Sequence, residues 1–256
     1  MSAALPFEIH APGAPARALI LCDHASNAVP PEIGSGAGLG LPPDEMERHI
    51  AYDIGVRGVT LELSRLMGAT AILSRFSRLV VDPNRGEDDP TLVMRLYDGA
   101  IVPANRHAGS EEIARRVEAY HRPYHAAIDA EIEARLAAGR PPALIAVHSF
   151  TPRLRSRAPR PWHVGVLWHR DDRMSAPLLA RLRAEPGLCV GDNQPYSGQL
   201  EGDTLSRHGT RRGLRHVLIE LRQDLIATET DQRLWAARLA PMFAGIVADT
   251  EEDADG

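Results

Sequence analysis

Short apolar runs bounded by turn-forming residues alternate along the chain with longer segments of helical periodicity. Apolar runs rich in Val, Ile or Leu predict six strands. These strands are 18–22, 69–74, 79–82, 143–149, 163–169 and 216–221. Several of the runs have no polar residue in alternation, which is typical of strands that are buried on both faces of a sheet.

Four segments have the spacing of amphipathic helices. They are 44–67, 110–136, 175–184 and 231–248. Strands that alternate with helices predict an α/β fold with helices on both faces of a sheet, here in a single domain of residues 1–256. The long connections 86–109 and 151–161 are candidate active-site lids. The acidic tail 249–256 is predicted to be disordered.

Composition and charge narrow the function classes. The 256 residues are 44% hydrophobic, which is enough for one sizeable core, and the formal net charge is -5. This balance argues against a nucleic-acid partner and against an anionic membrane surface. All 29 basic residues are arginine. The lack of lysine excludes Schiff-base lysine chemistry and a phosphate-loop lysine.

The two cysteines and the N-terminal sequence indicate the cellular compartment in which the protein is expected. Cys22 and Cys189 are far apart in the sequence and form no Cys-x-x-Cys pair, so neither a disulfide framework nor a thiolate metal site is expected. The first residues lack the pattern of a signal peptide, and no apolar stretch is long enough to span a membrane. We therefore expect a soluble cytoplasmic protein without a membrane partner, and a homodimer is possible.

Polar residues follow several of the predicted strands, where ligands gather in open α/β sheets. His24 comes just after the strand 18–22, and His148 and Glu220 lie near the ends of the strands 143–149 and 216–221. Asp53 lies four residues after His49, so the two would share one face of the first predicted helix.

Histidine and carboxylate ligands with one open position form a catalytic zinc site. His24, Asp53 and His148 are the candidate ligands of one Zn²⁺ ion, and Glu220 is the candidate general base. A further set, Asn84, Arg85 and Arg222, is left to bind a substrate carboxylate, because a guanidinium matches that group in a bidentate manner.

Each of these residues also has an ordinary structural interpretation. A single histidine at a strand end is more often a hydrogen-bonded structural residue. Asp53 could be an ion-paired helix residue, and Glu220 could simply pair with Arg222 or Arg78. The other histidines near the strands, and the pair His121 and His125 around Pro123, are expected to be structural. Those near the strands are His163, His208 and His216. Only the convergence of several groups favours the metal site.

An ordered series of short motifs resembles the N-formylglutamate amidohydrolase family. The motifs are LCDHASNAVP (21–30), RHIAYDIG (48–55), SRLVVDPNR (77–85), PYH around Tyr124, VHSF (147–150), GDNQPYSG (191–198) and IELRQDLI (219–226). They extend over most of the chain. Each motif is weak alone, but their order is specific.

The resemblance implies a three-layer α/β/α sandwich with a mostly parallel mixed sheet, similar to zinc carboxypeptidases and to muramoyl-alanine amidases. It implies the same metal ligands and the same base as the residues themselves suggest. In the carboxypeptidase pattern a glutamate stands three residues after the first histidine, where this chain has Asn27. Asp53 must then supply the carboxylate. His49, Ser26 and Asn27 are expected beside the ligands without coordinating the metal.

The expected activity is hydrolysis of the amide bond of an N-acyl amino acid, a small acidic substrate, most simply N-formyl-L-glutamate. The HASN and RQDL variants at 24–27 and 222–225 leave another acyl group or a peptidoglycan-like substrate open. A non-catalytic sensor of acidic ligands is the alternative from a different class. A serine nucleophile at Ser26 or Ser149 is disfavoured, because no Gly-x-Ser-x-Gly elbow is present.

Overall fold

The computed structural model describes the backbone of residues 5–252 and the side chains of residues 5–248. The predicted disordered tail, 249–256, lies outside the described residues except for the backbone of 249–252, which continues the last helix. The strands are β1 (Phe7–His10), β2 (Ala18–Cys22), β3 (Thr70–Ser74), β4 (Leu96–Tyr97), β5 (Ala100–Ile101), β6 (Ala143–Phe150), β7 (Val164–Leu167), β8 (Val190–Asp192) and β9 (His216–Arg222). The α-helices are α1 (Pro43–Met46), α2 (Val56–Met67), α3 (Pro103–Arg106), α4 (Ser110–Arg116), α5 (Arg122–Ala137), α6 (Ser175–Arg183), α7 (Thr204–His208) and α8 (Glu229–Glu252).

Seven strands form one mixed sheet in the order β1-β3-β2-β6-β9-β7-β8. The four central strands β3, β2, β6 and β9 are parallel to their neighbours in that group. The edge strand β1 is antiparallel to β3, and β7 is antiparallel to β9. Five of the six predicted strands are therefore confirmed, while the polar edge strand β1 and the short β8 were not predicted.

Apolar side chains on the two faces of the sheet bury different helices. One face packs against α2, α6 and α8, with Val59, Leu178 and Phe243 in the shared core. The opposite face packs against α5 and α7, through side chains such as Tyr124, Ile128 and Leu205. This arrangement confirms the predicted three-layer α/β/α sandwich with a mostly parallel mixed sheet.

The apolar run 79–82 is not a strand, and that prediction was wrong. Its residues are buried, but they form a turn in which Val80 donates to the carbonyl of Ser77. They pack in a separate core beneath the long connections, together with Phe76 and Leu92. Burial in this second core, rather than in the sheet, accounts for the apolar character of the run.

The prediction of one helix over 44–67 was also wrong. The helix is broken into α1 and α2, and both His49 and Asp53 lie in the irregular segment between them. Gly55 ends this segment with a left-handed φ of 82°, and a Cβ there would lie 2.2 Å from the carbonyl oxygen of Ile226. His49 and Asp53 therefore share no helical face.

The predicted helix over 110–136 is present as α4 and α5, joined by a π-helical turn at Val117–His121. Pro123 follows this turn. Proline has no backbone N–H to donate, so it fits where the regular hydrogen bonding of the helix is already interrupted. The connection 86–109 contains the hairpin of β4 and β5. None of the described helices is both long enough and apolar enough to cross a membrane.

Candidate active site

A cavity opens at the carboxyl ends of β2, β6 and β9. His24, Asp53, His148 and Glu220 all line it. His24 follows β2, His148 lies on β6 and Glu220 on β9, so adjacent parallel strands bring three of the four groups to one edge of the sheet. The structure thus brings together the predicted ligands and the predicted base.

Asp53 reaches this edge through its backbone rather than through a helix. Its amide N–H donates to the carbonyl of His24 at 3.0 Å. One carboxylate oxygen, Oδ2, lies 2.8 Å from Nδ1 of His148 and 3.4 Å from Nδ1 of His24. The same oxygen accepts from the amide of Ser149 at 3.2 Å. Asp53 therefore contacts both histidine rings through one carboxylate oxygen.

The Nε2 atom of each histidine ring contacts a second carboxylate, on the side away from Asp53. Nε2 of His24 lies 2.7 Å from Asp82, and Nε2 of His148 lies 3.1 Å from Asp23. Asp23 also accepts from the hydroxyl of Tyr124 at 2.8 Å. Carboxylates in this position fix the orientation and tautomer of histidines that bind metals. Sequence reasoning missed both roles, although Asp23 adjoins His24 and Asp82 ends an apolar run.

The carboxylates of this cluster are held in the ionised form. Burial opposes ionisation of Asp53, but His24 and His148 outweigh burial and keep its pKa below the usual range. Burial likewise opposes ionisation of Asp82, and the Arg78 guanidinium, 2.8 Å away, holds its pKa well below the usual range. Burial also disfavours the charged form of His148, yet its bonds to Asp23 and Asp53 raise its pKa well above the usual range.

The donor set fits a divalent metal ion. One ligand atom from each of His24, Asp53 and His148 lies within 4.8 Å of the others, and all three residues are buried. A bound metal ion would replace the proton that His148 holds; with both rings neutral, the buried carboxylates of Asp23, Asp53 and Asp82 then outnumber the one buried guanidinium in contact with them, that of Arg78, and leave an excess of negative charge. A divalent cation neutralises that charge, and two imidazoles with a carboxylate are typical zinc ligands.

Glu220 is buried beside this cluster without a fixed partner. Only 7% of the residue is exposed, and its Oε2 atom has no hydrogen-bond partner among the described residues. Burial raises the pKa of Glu220 to about 7, an effect that His148 opposes and Asp53 reinforces. A carboxyl group with this pKa can both accept and return a proton near neutral pH.

Asn84 and Arg85 also line the cavity. The Asn84 side-chain oxygen accepts from the amide of Thr204 at 3.1 Å. The Arg85 guanidinium donates to the hydroxyl of Thr91 and to the carbonyl of Asn84. No described carboxylate lies within ion-pairing distance of this guanidinium, so its charge is available to a ligand.

Three of the predicted residues, Arg222, Ser26 and Asn27, do not line the cavity. Arg222 lies outside the cavity lining, and its guanidinium donates to Asp224 at 2.8 Å and 3.2 Å because the turn after β9 folds back on it. Ser26 and Asn27 also lie outside the lining. Ser26 accepts from the amide of Ala28, and Asn27 donates to the carbonyl of Met46 at 3.1 Å.

His49, in contrast, lines the cavity. It is 8% exposed, and its Nε2 atom makes no hydrogen bond to the described residues, although it lies 3.5 Å from Oδ2 of Asp98. Burial lowers the pKa of His49 to about 4. The ring is therefore neutral at physiological pH and can donate or accept one hydrogen bond in the cavity.

The chain is similar to known proteins in sequence. A model of the family described as N-formylglutamate amidohydrolase matches residues 16–227. The N-formylglutamate deformylase of Pseudomonas putida is 26% identical over 197 residues, which cover 70% of this chain and 72% of that protein.

Two solved structures share the fold over nearly the whole chain. A gene product of Agrobacterium tumefaciens is 32% identical with a TM-score of 0.90 and covers 97% of both chains. The N-formylglutamate amidohydrolase of Ralstonia eutropha is 24% identical with a TM-score of 0.68 and covers 93% of this chain and 98% of its own.

Proposed function

The chain belongs to the N-formylglutamate amidohydrolase family of hydrolases, and on that basis we propose that it cleaves the amide bond of an N-acyl amino acid. The simplest substrate is N-formyl-L-glutamate, which would give formate and L-glutamate. One observation carries the proposal: the unpaired, buried carboxyl group of Glu220 shares a cavity with His24, Asp53 and His148. This pairing of a proton carrier with a metal-type donor set suits hydrolysis.

His24, Asp53 and His148 would hold the metal ion, and Zn²⁺ is the ion that we propose. When bound, zinc supplies a Lewis acid that activates water and stabilises negative charge on the carbonyl oxygen. Asp82 and Asp23 would keep the two imidazole rings in the orientation that they already have.

Glu220 would carry the proton through the reaction. It accepts a proton from the attacking water as the new carbon–oxygen bond forms. It then gives that proton to the amide nitrogen as the carbon–nitrogen bond breaks, so that the carboxylate is regenerated with each turnover. Burial of Glu220, which raises its pKa above the usual range, would favour return of the proton to the leaving nitrogen.

Arg85 and Asn84 would bind a carboxylate of the substrate. The guanidinium of Arg85 has no carboxylate partner of its own, in contrast to that of Arg78, which is paired with Asp82. Asn84 can donate through its amide nitrogen while its oxygen is bonded to Thr204. An acidic amino acid therefore fits this side of the cavity.

The direct test is formate release by the purified protein that contains zinc. We expect release from N-formyl-L-glutamate and much less from N-formylbutylamine, which has the same scissile bond and no carboxylate. N-Acetyl-L-glutamate, assayed by release of the free amine, tests the acyl group separately. Zinc-containing protein that cleaves none of these compounds would contradict the proposal.

A further inference from the structure

Two buried histidines hold the backbone that presents Asn84 and Arg85. Nε2 of His125 lies 2.9 Å from the carbonyl oxygen of Pro83, and Nε2 of His121 lies 2.9 Å from the carbonyl oxygen of Arg85. Both histidine residues are at most 1% exposed. The carbonyl groups on either side of Asn84 are thus fixed by imidazole rings.

Further side chains connect His125 to the protein surface. Nδ1 of His125 lies 2.8 Å from Nε2 of His208, and the two rings are stacked with centroids 5.1 Å apart. Nδ1 of His208 lies 3.1 Å from Asp129, whose side chain is 42% exposed. A chain of side chains therefore runs from Asp129 through His208 and His125 to Pro83.

The direction of the hydrogen bonds in this chain follows from its end at Pro83. The carbonyl of Pro83 can only accept, so His125 donates from Nε2 and, as a neutral ring, accepts at Nδ1. His208 must then donate from Nε2. Its Nδ1 atom faces the Asp129 carboxylate, which completes the chain. Each side chain in the chain thus helps to orient the next one.

An irregular turn precedes the helix that carries His125, and such turns are typical of functional sites. The π-helical turn at Val117–His121 precedes the helix that carries His125. The ring centroids of His121 and His125 are 4.4 Å apart. Turns of this kind cost helix regularity and occur frequently at functional sites. Neither histidine lines the cavity, so any effect on the substrate must pass through the backbone of residues 83–85.

We propose that His125, His121, His208 and Asp129 are positioning residues that set the side chains of Asn84 and Arg85 for the substrate carboxylate. This inference rests on the function proposed above for Asn84 and Arg85. Loss of a positioning residue should affect substrate binding more than chemistry, since Glu220 and the metal-type ligands lie on other segments. Their link to residues 83–85 is indirect, through the Asn84 amide that donates to Asp82 at 2.9 Å. The expected signature is a higher KM with a nearly unchanged kcat.

The test uses two pairs of variants and the zinc-containing protein with N-formyl-L-glutamate. His125→Phe removes the imidazole donor to Pro83 and leaves only the longer contact from the Thr204 hydroxyl at 3.4 Å, whereas His125→Gln keeps an N–H donor and tests rescue. Asp129→Ala removes the exposed end of the chain with little effect on packing. Glu133→Ala is its matched control, because Glu133 lies on the same helix and also pairs with Arg212 but contacts no histidine.

We expect His125→Phe to raise KM about tenfold and Asp129→Ala to raise it about threefold, with kcat within about twofold of wild type. His125→Gln should recover part of the KM, and Glu133→Ala should resemble wild type. A fall in kcat at unchanged KM, equal effects of Asp129→Ala and Glu133→Ala, or no recovery in His125→Gln would overturn the proposal.

A second readout does not depend on turnover. Hydrogen exchange at the amides of Asn84 and Arg85 should be faster in His125→Phe and in Asp129→Ala than in wild type or Glu133→Ala. Unchanged exchange in both variants would overturn the positioning role even in an active enzyme. If wild type cleaves no N-acyl amino acid while exchange responds as expected, the proposed substrate fails and the structural link remains.

Discussion

Glu220 lies directly opposite His148 in the register of the adjacent parallel strands β9 and β6. Neighbouring strands are roughly 5 Å apart, so the candidate base and a candidate ligand are fixed side by side by backbone hydrogen bonds. The sheet, rather than a mobile loop, thus sets the distance between the proton carrier and the metal-type cluster. Rigid elements hold catalytic groups more accurately than loops do.

The first prediction concerns the role of Glu220 in proton transfer. Glu220→Gln should lower kcat for N-formyl-L-glutamate by about 10²–10⁴-fold, because glutamine cannot accept the proton. Zinc content, measured by elemental analysis, should stay at the wild-type level. Glu118→Gln is the control, since Glu118 has an exposed side chain on the π-helical turn. Wild-type activity in Glu220→Gln would exclude Glu220 as the base.

Glu220 should also affect stability in a pH-dependent manner. Its pKa is raised from 4.5 to about 7 in the folded protein, so the folded state binds the proton more tightly than the unfolded state. Stability is therefore lost as pH rises from about 4.5 to 7. In metal-free protein, Glu220→Gln should raise the free energy of unfolding at pH 8 by about 2–3 kcal/mol relative to pH 4. Urea denaturation at both pH values measures this, and an equal effect at both would contradict the raised pKa.

A third prediction concerns the carboxylates behind the ligands. Asp23→Asn should weaken zinc binding by about 10–100-fold, because the amide cannot match the charge of the carboxylate on His148. Competition with a chelator of known affinity measures the effect. Asp44→Asn, at an exposed position in the first helix, is the control. Equal zinc affinity in both variants would mean that Asp23 does not support the metal site.

Arg85 and Arg222 offer a direct contrast for substrate binding. Arg85→Ala should raise KM for N-formyl-L-glutamate by about 10–100-fold, because a charged hydrogen bond to the substrate is lost. Arg222→Ala should change KM much less, because that guanidinium already pairs with Asp224 outside the cavity. Steady-state kinetics on both variants gives the answer. The reverse order of effects would place the substrate carboxylate elsewhere.

Sequence reasoning located most of the cluster because it depends on strand ends. His24, His148 and Glu220 follow or end apolar runs, and the carboxyl ends of adjacent parallel strands meet at one edge. Asp53 was predicted for the wrong reason: it lies in an irregular segment between helices, where its amide bonds to His24. A helical period of four residues between His49 and Asp53 could not reveal that break.

The contacts that sequence reasoning missed are set by tertiary packing. The turn at 79–82 resembles a strand in composition, because it is buried in a second core rather than in the sheet. That turn delivers Asp82 to His24, which no local pattern indicates. Arg222 ends the last strand on the expected edge, yet the next turn brings Asp224 within reach of its guanidinium. Such pairings depend on how loops fold back, which periodicity does not encode.

We propose that His24, Asp53 and His148 hold a metal ion on which hydrolysis depends. Formate release from N-formyl-L-glutamate by purified protein, before and after metal removal by a chelator and again after addition of one equivalent of zinc, tests it most directly. The account predicts that activity disappears on removal and returns with zinc, and that zinc restores no activity to a His148→Ala variant. Undiminished formate release by the metal-free protein would contradict it.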